Sequence, residues 1–242
     1  MGARLSNSVQ YYLGNMSLEK QIALPEQFKD IVIGIVGTGM MATAHAARWS
    51  TYSIPIIIGS REPSRAQQLA KRIGRENVIG TSHDDMFSKA NFIFLCTPCG
   101  PPAKQFVQKY AKQLSGKGIC EMSASYSRWS NESQRAPAPY QSQLTWLSDL
   151  AVKGGADPNT TTWVKAFCHV NASSISNNKQ QPIEITGDGF AKQVVTMLCN
   201  QAGQGWEVLD IGAAKDSKYI EGRGPARKQH PRYVEFNGND AP

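Results

Sequence analysis

The chain has 242 residues, of which 40% are hydrophobic and 19% are charged, and its formal net charge is +7. This length allows one large domain or two modest ones, and the composition excludes a mainly disordered chain. No apolar run approaches the ~20 residues that a membrane-spanning helix needs, and the N-terminus lacks the apolar core of a signal peptide. We therefore expect a cytoplasmic protein with no transmembrane segment.

Cysteine and histidine spacing argues against disulfides and metals. The five cysteines are odd in number and widely spaced, which is not typical of a disulfide framework. The four histidines are scattered without metal-ligand spacing, so we expect no metal site.

The two ends of the chain suggest different partners. The first six residues, MGARLS, fit the N-myristoylation pattern at Gly2, although short patterns also match by chance. The segment 223–232 holds four basic residues, but no helical stripe or interleaved aromatics. It therefore predicts a solvated basic tail or contact with an anionic nucleotide, and no nucleic-acid partner.

Short apolar segments alternate with helix-like segments from residue 31 onward. Buried-type strands are predicted at 31–37, 54–60, 78–82, 91–98, 117–123, 161–167, 182–188 and 206–212, and helices at 63–74, 84–90, 102–114, 144–155 and 190–203, with a helix-forming segment also after residue 39. This alternation, with apolar rather than alternating strands, predicts an α/β fold: a doubly wound, mostly parallel sheet covered by helices on both faces.

The domain organisation follows from these elements. We predict a lead-in over 1–29, a dinucleotide-binding core over 30–125, a C-terminal α/β part over 126–222 that completes the sheet, and a basic tail over 223–242. The polar, proline-containing stretch 126–144 is interpreted as a connection or an excursion from the fold.

The turn after the first strand carries a glycine motif. GTGMMA, residues 37–42, fits G-x-G-x-x-G/A between a buried strand and a helix, with a second strand within about 30 residues. Gly37 permits the tight turn, Gly39 lets the backbone approach a pyrophosphate, and Ala42 allows close helix packing. The alternative is a tight βα turn with no ligand, but the context favours the Rossmann type of dinucleotide binding.

The end of the second strand predicts which dinucleotide binds. Ser60 follows Gly39 by twenty-one residues, Arg61 comes next, and no acid ends the strand. NAD sites use an acid there for the ribose hydroxyls, whereas NADP sites use arginine for the 2′-phosphate. Arg61 can contact the phosphate with two donors, and Arg65 can close the pocket. We predict NADP(H), with a solvated loop as the alternative.

At this point the sequence resembles a known family. IGIVGTGMMA, IIIGSREPSRAQQLA, ANFIFLCTP, WVKAF, ITGD and LDIGAAKDSKYIEG resemble the coenzyme F420-dependent NADP oxidoreductases. They are also similar to the NADPH domain of STEAP metalloreductases and, in fold, to pyrroline-5-carboxylate reductases. The resemblance covers roughly residues 31–222, with a gap around 126–160.

The resemblance implies specific roles. Together with Gly37, the residues it places at NADP(H) are Thr38, Gly39, Met40, Met41, Ser60, Arg61, Arg65, Cys96, Thr97, Pro98 and Ala166. It implies hydride transfer between NADP(H) and a flavin or 5-deazaflavin co-substrate, or a small imine or carbonyl compound, and relatives suggest a homodimer. After the KAF segment the metalloreductases carry asparagine, whereas this chain carries Cys168 and His169. This difference lies where the acceptor should bind, so the resemblance does not identify the acceptor.

Three groups are candidates for the chemistry. His169 is the histidine that the resemblance places near the nicotinamide, where it could donate a proton, or it is structural. Cys96 and Cys99 match C-x-x-C, although this pair follows a strand rather than opening a helix, so ordinary thiols are favoured. The aromatic rings of Tyr126, Trp129 and Trp146 could form the base of an acceptor site, or they could pack in the core.

The sequence therefore predicts an NADPH-dependent oxidoreductase. The alternative is a non-catalytic NADP(H)-binding sensor or interaction protein, because a fold alone does not establish catalysis.

Overall fold

A computed structural model describes residues 22–124, 134–177, 181–200 and 206–221. Within them eight strands form one sheet: β1 (Ile33–Val36), β2 (Ile56–Ser60), β3 (Val78–Ser82), β4 (Phe92–Leu95), β5 (Gly118–Glu121), β6 (Thr162–Lys165), β7 (Ile183–Gly187) and β8 (Val208–Gly212). The α-helices are α1 (Met40–Trp49), α2 (Pro63–Ile73), α3 (His83–Lys89), α4 (Pro101–Tyr110), α5 (Gln143–Lys153), α6 (Ala172–Ser176), α7 (Gly189–Asn200) and α8 (Lys218–Glu221). The predicted fold class is confirmed.

The strand order is β3-β2-β1-β4-β5-β6-β7-β8. Strands β1 to β6 are parallel, whereas β7 runs antiparallel to β6 and β8 runs parallel to β7. The order reverses between β1 and β4, and ligands of open α/β sheets bind at the carboxyl ends of the strands beside such a switch point. The antiparallel β7 places its first residues at that same edge.

The sequence explains why these elements form. Strands β1, β2, β4 and β5 are buried at every position, as expected for strands with helices on both faces. Helix α2 begins with Pro63 and ends at Gly74, whose φ is +68°, so both ends have the residues that helix termini favour. Apolar side chains fill two core clusters, one on each side of the sheet.

Several predictions fall on residues that the structure does not describe. These are the modification at Gly2, the lead-in before residue 22, the basic tail, and the aromatic residues Tyr126 and Trp129. The third aromatic residue, Trp146, is buried in a core cluster. None of the helices in the described residues is both long and apolar enough to cross a membrane.

Candidate functional site

The glycine turn lies at the carboxyl end of β1. Gly37 has a φ of +98°, a region that favours glycine, and its N–H donates to the Gly59 carbonyl of β2 at 2.8 Å. Gly39 is the N-cap of α1, and a Cβ added to it would meet no atom within 4 Å. The turn therefore leaves open space directly in front of the first N–H groups of α1, which is where a pyrophosphate binds in such folds.

The residues predicted to hold a 2′-phosphate lie together at the carboxyl end of β2. Ser60 is the last residue of this strand, and its Oγ accepts the N–H of Glu62 at 3.2 Å. Arg61 and Arg65 are exposed. Arg65 lies in the first turn of α2, where its guanidinium is 3.6 Å from the Glu62 carboxylate. Because this pair is exposed, it is weak, and Arg65 can exchange it for a more highly charged anion.

A cavity of about 250 Å³ opens at the carboxyl ends of the central strands, and we call it the central cavity. Its walls come from the start of α1, the segment after β4, the segment after β5 and the segment after β6. The lining residues include Met41, Cys96, Thr97, Cys99, Ser123 and Phe167. The structure thus gathers the predicted residues Met41, Cys96, Thr97 and Pro98 around one space.

Two buried hydroxyl groups beside the central cavity have no hydrogen-bond partner. The Oγ1 of Thr97 and the Oγ of Ser123 are both inaccessible to solvent and have no hydrogen-bond partner. Unsatisfied buried polar atoms are uncommon in folded proteins, and they are expected where a ligand completes the bonding. Both hydroxyls belong to residues that line the central cavity.

A second cavity, of about 220 Å³, lies on the other side of the segment after β6, and we call it the lateral cavity. It shares Phe167, Cys168 and Val170 with the central cavity. Its remaining wall comes from His169 and from residues at the start of β7, including Glu184. The antiparallel direction of β7 is what brings this wall to the edge where the parallel strands end.

His169 faces the lateral cavity rather than the central one. Its Nε2 lies 2.5 Å from the Ile220 carbonyl oxygen of α8. Because a carbonyl only accepts, Nε2 carries the proton and donates it there. In this arrangement His169 fastens α8 to the rim of the site.

Phe167 lines both cavities and has an unusual backbone conformation. It is the only residue other than glycine with positive φ in the described part of the chain, at 59°. Its ring is 2% exposed and meets the imidazole of His45 edge-on at 4.9 Å between centroids. Bulky residues rarely adopt this conformation, and such residues concentrate at functional sites. The neighbouring Ala166 is fully buried, at the end of β6.

A fully buried ion cluster lies behind the central cavity. Lys165, at the end of β6, pairs with Glu121, at the end of β5, and its Nζ is 3.1 Å from the Glu221 carboxylate of α8. The three side chains are 0 to 1% exposed. Burial lowers the pKa of Lys165, but the two carboxylates outweigh it and hold that pKa above its ordinary value. The lysine therefore stays charged.

Backbone N–H groups complete the cluster. The second Glu121 oxygen accepts the N–H of Ser123 at 2.7 Å, which fixes the cavity wall after β5. Glu221 accepts the N–H groups of Gln143 at 2.7 Å and Leu144 at 3.1 Å, at the start of α5. Each carboxylate oxygen of Glu121 and Glu221 thus accepts a hydrogen bond from an N–H donor.

The thiols that line the central cavity are poor nucleophiles. Burial raises the pKa of Cys96, and burial together with the Glu121 charge raises that of Cys99. Burial raises the pKa of Cys168 to about 12, against the lowering effect of Lys165. Since the thiolate is the reactive form, the C-x-x-C pair has the character of ordinary protonated thiols.

Sequence reasoning missed the ion cluster and the role of the segment after β5. The signals were present: Glu121 and Lys165 are charged residues that end otherwise apolar strands. The pairing with Glu221, which lies 56 positions beyond Lys165, had no signal in a single sequence. No group of three or more His, Cys, Asp or Glu side chains among the described residues could hold a metal ion.

Comparison with known proteins supports the resemblance. Residues 32–125, less than half of the chain, match the family model described as NADP oxidoreductase, coenzyme F420-dependent. The match spans the glycine turn, the Ser60-Arg61 pair and the strands up to β5. It confirms the predicted resemblance and the predicted class, an NAD(P)-dependent oxidoreductase. No curated protein sequence matches the chain.

Solved structures share the fold. A hypothetical protein from Sinorhizobium meliloti superposes with a TM-score of 0.62 at 20% identity, over 80% of this chain and 91% of that one. A protein described as a proposed F420-dependent NADP reductase, from Arthrobacter sp. FB24, gives 0.63 at 15% identity over 86% and 94%. An imine reductase from Myxococcus stipitatus, a variant with NAD+ bound, gives 0.55 at 13% identity over 78% and 59%.

Proposed function

We propose that this protein is an NADPH-dependent oxidoreductase, which transfers a hydride between NADP(H) and a flavin- or deazaflavin-type acceptor or a small imine or carbonyl compound. The observation that carries the proposal is the open turn at Gly39, followed one strand later by Ser60-Arg61 with no acid at the strand end. The open turn suits a pyrophosphate, and the arginines suit a 2′-phosphate.

Under this proposal, two groups of residues hold the phosphates of the cofactor. Gly37, Thr38, Gly39 and the first N–H groups of α1 hold the pyrophosphate. Ser60, Arg61 and Arg65 bind the 2′-phosphate, with Arg65 leaving Glu62 when the phosphate arrives.

The central cavity receives the nicotinamide. Bound NADPH supplies the hydride, and the chain orients it and excludes water. Thr97 and Ser123 line this cavity, and their unpartnered hydroxyls can hydrogen-bond the carboxamide of the nicotinamide once their side chains turn towards it. We retain His169 only as an orienting group, because its Nε2 proton is committed to Ile220.

The test is cofactor preference. Dissociation constants of NADPH and NADH are measured by fluorescence titration for the wild type and Arg61→Ala. We expect tighter NADPH binding in the wild type, and a loss of about tenfold or more in NADPH affinity in the variant with NADH affinity nearly unchanged, because a charge-assisted bond to phosphate is removed.

Arg72→Ala is the matched control, because Arg72 is also an exposed arginine of α2 but its Nε bonds the Gln68 carbonyl one turn away. It should retain the NADPH preference. Equal affinity of the wild type for NADPH and NADH would contradict the proposal.

A further inference from the structure

The proposed function does not identify the hydride acceptor, and the charges around the two cavities narrow the choice among acceptor classes. We propose that the acceptor is a cation, an iminium, and that the buried cluster of Lys165, Glu121 and Glu221 selects it over neutral carbonyl compounds and anionic flavins. This inference rests on the proposed function, and the experiment below distinguishes its failure from that of the proposed function.

The first argument is charge. The carboxyl groups of Glu121 and Glu221 share one ammonium, that of Lys165, and because all three side chains are buried, solvent screens their charges little. The cluster is linked directly to the cavity walls. Glu121 accepts a hydrogen bond from the N–H of Ser123, a lining residue, and Lys165 precedes Phe167, another lining residue, by two positions. Glu184 is among the residues that line the lateral cavity.

The lining thiols respond to this charge. Glu121 and Glu221 raise the pKa of Cys99, against the opposing effect of Lys165, after burial as the main cause. At Cys168, Lys165 lowers the pKa, whereas Glu221, Glu121 and Glu184 all raise it. Among the described residues, the carboxylates near these two thiols outnumber the ammonium. A positive ligand is therefore favoured where the cavities meet.

The second argument is proton supply. Reduction of a carbonyl needs a proton for the oxygen, and efficient donors have a pKa near the working pH. The central cavity is lined by thioethers, hydroxyls, hydrocarbon and thiols with raised pKa values, with no histidine, carboxylate or ammonium among its lining residues. Its described walls therefore hold no acid suited to this task.

An iminium needs no such acid. The C4–H bond of the dihydronicotinamide breaks, and its electron pair and hydrogen form a C–H bond at the iminium carbon. The C=N π pair moves to nitrogen, which becomes a neutral amine, and NADPH becomes NADP+. Positive charge thus moves from the acceptor to the nicotinamide, and no proton is transferred. A flavin or deazaflavin would instead gain negative charge on its pyrimidine ring, which the cluster disfavours.

The experiment compares acceptors of matched shape. NADPH absorbance is followed with N-methyl-1-pyrrolinium against cyclopentanone, with N-methyl-3,4-dihydroisoquinolinium against 1-tetralone, and with FMN and F420, after subtraction of the rate without enzyme. The N-methyl cations have no N–H proton to lose, so they keep their charge at the near-neutral pH of the assay. We expect at least one cation to be reduced at least tenfold faster than its ketone partner and faster than FMN or F420.

Three variants connect the preference to the cluster. In Glu121→Gln and in Glu221→Gln the kcat/KM ratio of cation to ketone should fall by about tenfold, the effect of one charge near a site of low dielectric. Glu76→Gln removes an exposed carboxylate that precedes β3, at the amino end of the sheet, and should leave the ratio unchanged. A merely structural role of the cluster would lower both rates together and leave the ratio unchanged.

The outcomes separate the two hypotheses. Failure to bind NADPH would overturn the proposed function. NADPH binding with FMN, F420 or a ketone reduced at least as fast as both cations, or with neither cation reduced, would overturn the iminium assignment alone. An unchanged cation-to-ketone ratio in both glutamate variants would overturn the role of the cluster.

Discussion

Stability below neutral pH should depend on one buried histidine. His45, on α1, is fully buried, and its imidazole stacks on Phe94 at 4.7 Å between centroids. Trp49 Nε1 donates to its Nδ1 at 3.0 Å, which requires that nitrogen to be unprotonated. Burial lowers the pKa of His45 from 6.5 to about 3. The folded state thus holds the imidazole neutral, whereas the unfolded chain protonates it below about pH 6.5.

The sign and size of the change in unfolding free energy with pH follow from this difference in pKa. Because the folded pKa is depressed, the stabilisation is fully present above the unfolded pKa and is lost as the pH falls from about 6.5 towards 3. At about pH 4.5, two units below the unfolded value, the loss amounts to about 2.7 kcal/mol at ~1.36 kcal/mol per unit. That is a large fraction of the ~5–15 kcal/mol typical of a folded domain.

The assay is urea unfolding of wild type and His45→Phe, followed by tryptophan fluorescence at several values between about pH 7.5 and 4.5. Phenylalanine keeps an aromatic ring beside Phe94 and cannot be protonated. At about pH 7.5 the variant should be about 1–3 kcal/mol less stable than the wild type, because Trp49 loses its acceptor. Its fall in stability between the two pH limits should be about 2.7 kcal/mol smaller than that of the wild type.

The matched control is Trp49→Phe, which removes the same hydrogen bond but leaves the histidine. It should keep most of the wild-type pH dependence. Some dependence should also remain in His45→Phe, because burial lowers the pKa of His83 as well. If His45→Phe declines with acid as steeply as the wild type, the attribution to His45 is refuted.

Two further predictions concern glycines. In Gly39→Val the added side chain meets no protein atom near its Cβ, so the melting temperature measured by calorimetry should change little. The NADPH affinity measured by fluorescence titration should fall at least about 100-fold, because the side chain occupies the space proposed for the pyrophosphate. Retained NADPH affinity would show that the pyrophosphate does not bind at this turn. In Gly80→Ala the new Cβ would overlap the backbone of Ala66 in α2, so unfolding in urea should show a loss of about 3 kcal/mol. An unchanged urea midpoint would show that α2 can shift away from β3 without cost.

The homodimer, the cytoplasmic location and the division at residue 125 stay predictions. The structure and the comparisons do not test them. The aromatic floor predicted from Tyr126 and Trp129 has the same standing, since these residues lie outside the described ranges.

Much of the architecture is local, and the sequence alone determined it. Buried parallel strands are recognisable in the sequence as short apolar runs, and helices such as α2 have a proline at the start and a glycine after the end. For this reason the bounds of most elements were predicted to within a few residues. The places of the glycine turn and of the Ser60-Arg61 pair in the fold were also predictable, because both lie within one short βαβ unit.

Only the tertiary structure decided the surroundings of the two cavities. The direction of β7 depends on pairing with β6, which has no local signature, and this direction brings Glu184 to the lateral cavity. His169 was predicted near the nicotinamide, but its direction is set by its bond to Ile220. The pairing of Lys165 with Glu121 and Glu221 joins three distant segments, because buried charges are stable only when folding brings their partners together.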